Sequence, residues 1–216
     1  MKIFALLLLA LCLLLIMPGY AISQTSPGAD GDKKPNLIAQ MTRWQADNLI
    51  RLAEYDAVGY DAAINLYDET IKQYPNDAEL WSDKGDLLSR QRKYDEATKC
   101  FDEAIRLDPN YAMAWYYKGL AFYGQGKYDE ATKCFDEAIR LDPNYANAWN
   151  SKGNALAAQG KYDEAIKCFD EAIRLGLYFP GITWNNKGKA LKALGRISEA
   201  NAAFAKAKEL GYAGWP

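Results

Sequence analysis

Histidine is absent from this chain of 216 residues. That removes the usual general base near neutral pH and the commonest zinc ligand. An excess of charge of one sign is also missing: 26 Lys and Arg stand against 28 Asp and Glu, for a formal net charge of −2. No broad positive field exists to hold nucleic acid or an anionic membrane. Basic residues are interleaved with acidic ones, as in Asp95-Glu96-Ala97-Thr98-Lys99, so no basic stripe forms and the charges read as solvated helix faces. There is no GxxxxGK[ST] phosphate loop, no paired-cysteine zinc spacing and no Gly-x-Ser-x-Gly elbow. A non-catalytic protein is expected, with no metal, no cofactor and no nucleic-acid partner.

Long apolar runs are confined to the start. Lys2 precedes an unbroken apolar stretch over 3–17, closed by Pro18 and Gly19, and Ala21-Ile22-Ser23 offers a small-x-small cleavage site before Gln24. As a helix the stretch covers about 22 Å, short of the ~30 Å hydrocarbon core. Counted on to Ile22 it just spans. Residues 1–23 therefore read as a signal peptide or, left uncleaved, a signal anchor. Export from the cytoplasm is expected in both cases, and membrane contact only in the second. Leu11 stands before Cys12 where a lipoprotein site needs a small residue. Residues 24–35, rich in Gly, Ser, Pro and charge, read as a flexible linker.

Cysteine is scarce beyond the leader. Cys100, Cys134 and Cys168 lie 34 residues apart. Equivalent helices pack roughly 8–10 Å apart, beyond the ~7 Å Cα limit for a disulfide. Three small, partly buried thiols are expected.

The same spacing organises the rest of the chain. Residues 93–112 recur letter for letter as 127–146. Trp81, Trp115 and Trp149 are spaced by 34 and Trp184 follows after 35, each with a glycine four residues on: Gly85, Gly119, Gly153 and Gly188. Ala97, Ala131, Ala165 and Ala200 recur, as do Phe101, Phe135, Phe169 and Phe204. Each unit reads as two amphipathic helices with apolar residues three and four apart. Asp-Pro-Asn stops the second helix, and Gly124-Gln125-Gly126 turns the chain between helices. One hairpin cannot bury its apolar face alone, so neighbours must stack.

The Trp, Gly, Ala, Phe, Ala and Pro positions of this period resemble the tetratricopeptide repeat family. One departure stands out: Lys84, Lys118 and Lys152 replace the apolar residue usual before the glycine. The resemblance implies an all-α, right-handed superhelix of about five hairpins with a concave groove for a protein or peptide ligand. The expected organisation is an N-terminal helix with a divergent first repeat over 36–77, repeats over 78–111, 112–145 and 146–180, and a capping repeat with its tail over 181–216. In the first helix, Leu37, Met41, Trp44, Leu49 and Leu52 are expected to face inward. Residues 176–181 carry one extra residue and lack Asp-Pro-Asn, so a local change of angle is expected there. Asn201, Ala203 and Lys208 replace more apolar or reactive residues of the internal repeats, as a terminal helix with a polar outer face requires. Trp215 lies beyond, and either folds back over that end or meets another copy end to end.

In the resembled family the first helix of each repeat lines the groove. By register, the second repeat offers Glu79, Ser82, Asp86 and Ser89, and the third Met113, Tyr116, Leu120 and Tyr123. The fourth offers Asn147, Asn150, Asn154 and Ala157, and the last Ile182, Asn185, Lys189 and Lys192. These lining positions differ between repeats whose packing positions are identical. The family's Lys and Asn clamp for a C-terminal carboxylate is missing: Ser82, Asp86, Tyr117, Asn147 and Ser151 occupy its places.

Overall fold

Residues 36–52 and 57–212 are described by the structure, a computed structural model; the expected leader, linker and Trp215 lie outside them. All regular structure among the described residues is helical. Two units are distinguished, Met1–Ala63 and Ile64–Pro216.

In the first unit, α1 spans Leu37–Leu52. Its buried residues are Ala39, Thr42, Ala46 and Ile50, and the Thr42 hydroxyl donates to the Ile38 carbonyl at 2.9 Å. This reverses most of the expected face: Leu37, Met41, Trp44 and Leu52 are exposed, and Leu49 is half-buried. The helix carries two stripes at helical spacing, and the one with small side chains is buried. Periodicity locates a stripe but does not say which of two will pack. The next helix, α2 (Ala57–Gln73), crosses from the first unit into the second.

The second unit continues with α3 (Ala78–Arg90), α4 (Tyr94–Leu107), α5 (Ala112–Gly124) and α6 (Tyr128–Leu141). It ends with α7 (Ala146–Ala158), α8 (Tyr162–Leu175), α9 (Pro180–Ala193) and α10 (Ile197–Glu209). Helices pair as α3 with α4, α5 with α6, α7 with α8 and α9 with α10, and each second helix packs on the next first helix. Successive first helices α3, α5, α7 and α9 also touch one another. They make one wall, and the second helices make the other layer.

Inside each hairpin a phenyl ring covers a glycine. Phe101, Phe135 and Phe169 are fully buried. A Cβ built on Gly85, Gly119 or Gly153 would meet the facing ring at 2.6 Å, and one on Gly188 would meet Phe204 at 2.5 Å. Buried alanines, among them Ala97, Ala121, Ala131 and Ala155, line the same contacts.

Between hairpins the lysines that break the family pattern find a use. Lys84 reaches Asp68 at 2.5 Å, and Lys118 and Lys152 reach Asp102 and Asp136 at 2.6 Å, each across a junction. Lys187 makes the same pair with Asp170. Every ammonium also lies 5.1–5.9 Å from the ring centre of the tryptophan one turn before it. The alkyl stem is buried while the charged tip reaches a half-exposed carboxylate. Such a pair is worth about 0.2–1 kcal/mol and the cation–π contact roughly 0.5–1, so the ladder adds specificity of stacking to an apolar core.

Helix ends follow from local chemistry. Asp77 accepts from the N–H groups of Glu79 and Leu80 at the start of α3. Asp108 and Asp142 each accept from the N–H two residues on at 3.0 Å, and extended backbone at both stops the helix before proline. The indoles of Trp81, Trp115 and Trp149 donate to the carbonyls of Pro75, Pro109 and Pro143 at 3.0, 3.4 and 3.1 Å, tying each turn to the next first helix. The extra residue is taken up at the start of α9, which has four residues before Trp184 where α7 has three before Trp149, and the ion pair and the phenyl-on-glycine contact both recur beyond it. At the last hairpin Asn201 and Lys208 face solvent and Ala203 is buried.

The turn between helices needs a left-handed residue. Gly126, Gly160 and Gly195 supply it with φ of 77°, 78° and 74°, but in the second repeat Arg92 is forced to φ 62°. Its exposed side chain gives nothing in return. An L-residue pays about 1–2 kcal/mol there, against the smaller entropy that glycine loses on folding. Arg92→Gly is therefore expected to stabilise the chain by roughly 0.5–1 kcal/mol in urea unfolding; a lower midpoint would contradict this.

Candidate functional site

The wall of first helices gathers most of the residues predicted to line a groove, though not equally. Met113, Tyr123, Asn147, Lys189 and Lys192 are exposed. Glu79, Asp86, Leu120 and Asn185 are half-buried. Ser82 is different: it is 1% exposed and no guest can reach it. Its hydroxyl has no hydrogen-bond partner among the described residues.

Tyr116 belongs to the packing as much as to the wall. Its ring lies 4.9 Å from Tyr145, 5.4 Å from Tyr117 and 6.0 Å from Phe135, centre to centre. Burial raises its phenol above the ordinary range, against a lowering hydrogen bond with Ser151. Tyr145, tilted against it, is raised further by the same desolvation. Through Ser151, Tyr116 reaches the fourth repeat. Tyr123, two turns on, packs at a tilt on Tyr128 at 5.3 Å and keeps more of its edge in water.

The asparagines are half committed. Asn150 accepts a hydrogen bond from the Thr183 hydroxyl, and Asn154 accepts one from the Asn186 amide, both at 3.0 Å. Each bond crosses from α7 to α9 and fixes the amide plane. The oxygen is used, and the NH₂ group remains as a positioned donor that a peptide carbonyl can accept from. These inter-repeat bonds escaped sequence reasoning, although Thr183 and Asn186 stand 33 and 32 residues after their partners, close to the repeat period.

Charge along the wall is uneven. Asp86 is held by Arg90 on its own helix at 2.7 Å. Lys189 and Lys192 make no ion pair among the described residues.

Elsewhere the reactive groups are quiet. Cys100, Cys134 and Cys168 are buried free thiols, and desolvation pushes each to about 11 despite the lysine of the ladder nearby. The paired acids Asp95-Glu96, Asp129-Glu130 and Asp163-Glu164 sit exposed in the first turns of α4, α6 and α8, where the helix dipole favours them. Among the described residues no cluster of three or more His, Cys, Asp or Glu side chains is placed to hold a metal ion. No helix among them is long and apolar enough to cross a membrane.

One tetratricopeptide repeat model matches residues 82–146 and 118–178, and a second such model matches 182–210. No curated protein matches the chain. Among solved structures, the crystal structure of MamA is 26% identical and matches with a TM-score of 0.66 over 77% of this chain and 94% of its own. MamA residues 41-end from Desulfovibrio magneticus RS-1, at 22% identity, match with a TM-score of 0.68 over 84% and 96%. The second match is a likeness of fold.

The thiols give a direct check on the packing. Because their native value is raised from 9.0 to about 11, the neutral form stabilises the fold fully below pH ~9 and that contribution is lost as pH climbs toward 11. At pH 8 a thiol reagent is expected to label none of the three quickly in the native chain and all three in urea. Fast native labelling would show that the cores are open.

Proposed function

The chain belongs to the tetratricopeptide repeat family, and from that premise we propose that it is a non-catalytic interaction scaffold. An extended peptide or a partner helix lies along its wall of first helices. The observation that carries this reading is the contrast within one chain between fixed packing and variable wall. Phe101, Phe135 and Phe169 are each fully buried against the glycine of their own hairpin, while the wall places change from Asp86 to Leu120 to Asn154. Stability alone gives no reason for those changes. The oriented NH₂ groups of Asn150 and Asn154 suit a peptide backbone, and the exposed side of Tyr123 suits an apolar side chain. A sequence without histidine and a set of inert thiols support the absence of catalysis.

The scaffold is proposed to work outside the cytoplasm, on the strength of the apolar run over 3–17 and the Ala21-Ile22-Ser23 site. The alternative reading is a structural repeat protein that associates with itself. The exposed Leu37, Met41 and Trp44 of α1 favour it, since a row of large apolar side chains in water invites a second surface. Sedimentation separates the two: a fixed monomer mass supports the scaffold, and a mass rising with concentration supports self-association.

Replacing Tyr123 and Asn147 together by Ala is expected to weaken partner capture at least fivefold with helicity unchanged. Unchanged capture would remove this wall as the site. N-terminal sequencing of the native protein should begin at Gln24, or find the leader intact in a membrane fraction. An intact leader on a chain in the soluble cytoplasm would overturn the proposed location.

A further inference from the structure

The loop between α8 and α9 departs from every other junction of the second unit. Gly176 turns the chain with φ 85°, and Gly176-Leu177-Tyr178-Phe179 stands where the two preceding junctions carry Asp-Pro-Asn-Tyr. At the preceding junction, Tyr145 stands four residues before Trp149 and its ring packs at a tilt on Tyr116. Four residues before Trp184 the chain has Pro180, and the place of Tyr116 is taken by Asn150. That ring-on-ring closure has no counterpart here. Phe179 is left 70% exposed and Tyr178 90%, their rings meeting edge to face at 4.8 Å. A preformed aromatic pair held in water is unusual for a surface that binds nothing.

The face that follows completes the picture. Ile182, 47% exposed, begins the wall face of α9. Lys189 lies seven residues further, two turns along the same face, and Lys192 three beyond it. Neither lysine meets a carboxylate among the described residues, whereas Lys187, on another face of the same helix, is paired with Asp170. At the other end of the wall, Asp86 is held by Arg90. The two lysines thus put positive charge on the same helix face as the wall's most exposed apolar patch.

We propose that this end of the wall docks an extended acidic peptide with an aromatic or large aliphatic anchor. The anchor seats on Tyr178, Phe179 and Ile182, and a carboxylate of the peptide meets Lys189 and Lys192. Seven helical residues cover about 10.5 Å, and an extended peptide rises roughly 3.3 Å per residue. Anchor and acid therefore stand about three residues apart in the guest. The inference rests on the reading of the first-helix wall as a binding surface and adds the chemistry of its occupant.

Selection of a random dodecapeptide library on the full chain tests it, followed by fluorescence anisotropy of the selected peptides. The expected peptides carry an aromatic or large aliphatic residue three positions from Asp or Glu. Phe179→Ala is expected to weaken them about fivefold or more, and Lys189→Glu with Lys192→Glu about tenfold, with binding falling as salt rises. All three side chains are exposed, so circular dichroism should not change. Peptides that lack this pair and ignore both variants would overturn the proposal while leaving the wall a binding surface. Failure to select any peptide would remove the wall reading and this one with it. If the variants instead abolish concentration-dependent sedimentation, the occupant is a second copy and the acidic-peptide proposal falls.

Discussion

A benzene ring lying on a glycine sets the dimensions of this protein. In the four hairpins from α3 to α10 a second-helix phenylalanine occupies the space where a first-helix Cβ would be. Glycine inside a helix costs about 1 kcal/mol relative to alanine, so the position is kept at a local loss. The ring explains the loss. An added methyl would force a close-packed phenyl out of place, at a cost of roughly 1–3 kcal/mol. The contact fixes how near the two helices of a hairpin approach and therefore which residues remain outside. With the inner side of each first helix closed on Phe101, Phe135, Phe169 or Phe204, its other side is presented as wall.

Stacking of hairpins uses a second set of contacts. The Lys84, Lys118, Lys152 and Lys187 ladder joins each first helix to the second helix before it, and each lysine stem rests by a tryptophan whose indole, in three of four cases, holds the preceding turn. Polar groups are thus spent where they define register, and apolar ones where they define distance. Function is left to the residues that neither job uses. That division accounts for the differences between first helices over second helices that scarcely change.

Much of this was legible as period. Identical segments 34 residues apart determine hairpins, stacking and the solenoid before any coordinates, because a repeated sequence must make repeated contacts. The wall could be placed by register, yet register is blind to depth. Ser82 and Tyr116 occupy equivalent positions and both turn out committed, one by burial and the other by packing against Tyr145. The role of the departing lysines was also hidden. An aspartate 16 residues earlier, or 17 at the last junction, lies on another helix, and only stacking brings it near. In α1, with no repeated signature to fix its face, the larger apolar stripe pointed the wrong way. Tyr178 and Phe179 stand in a loop where the Asp-Pro-Asn pattern breaks off, and the repeat gives no depth for them.

The account turns on first helices being the surface and second helices the support. Hydrogen–deuterium exchange of the full chain, with and without a saturating captured partner, tests that division residue by residue. The prediction is slowed exchange in α5, α7 and α9 and in the loop before α9, with α4, α6 and α8 unchanged. Protection confined to the second helices would contradict it.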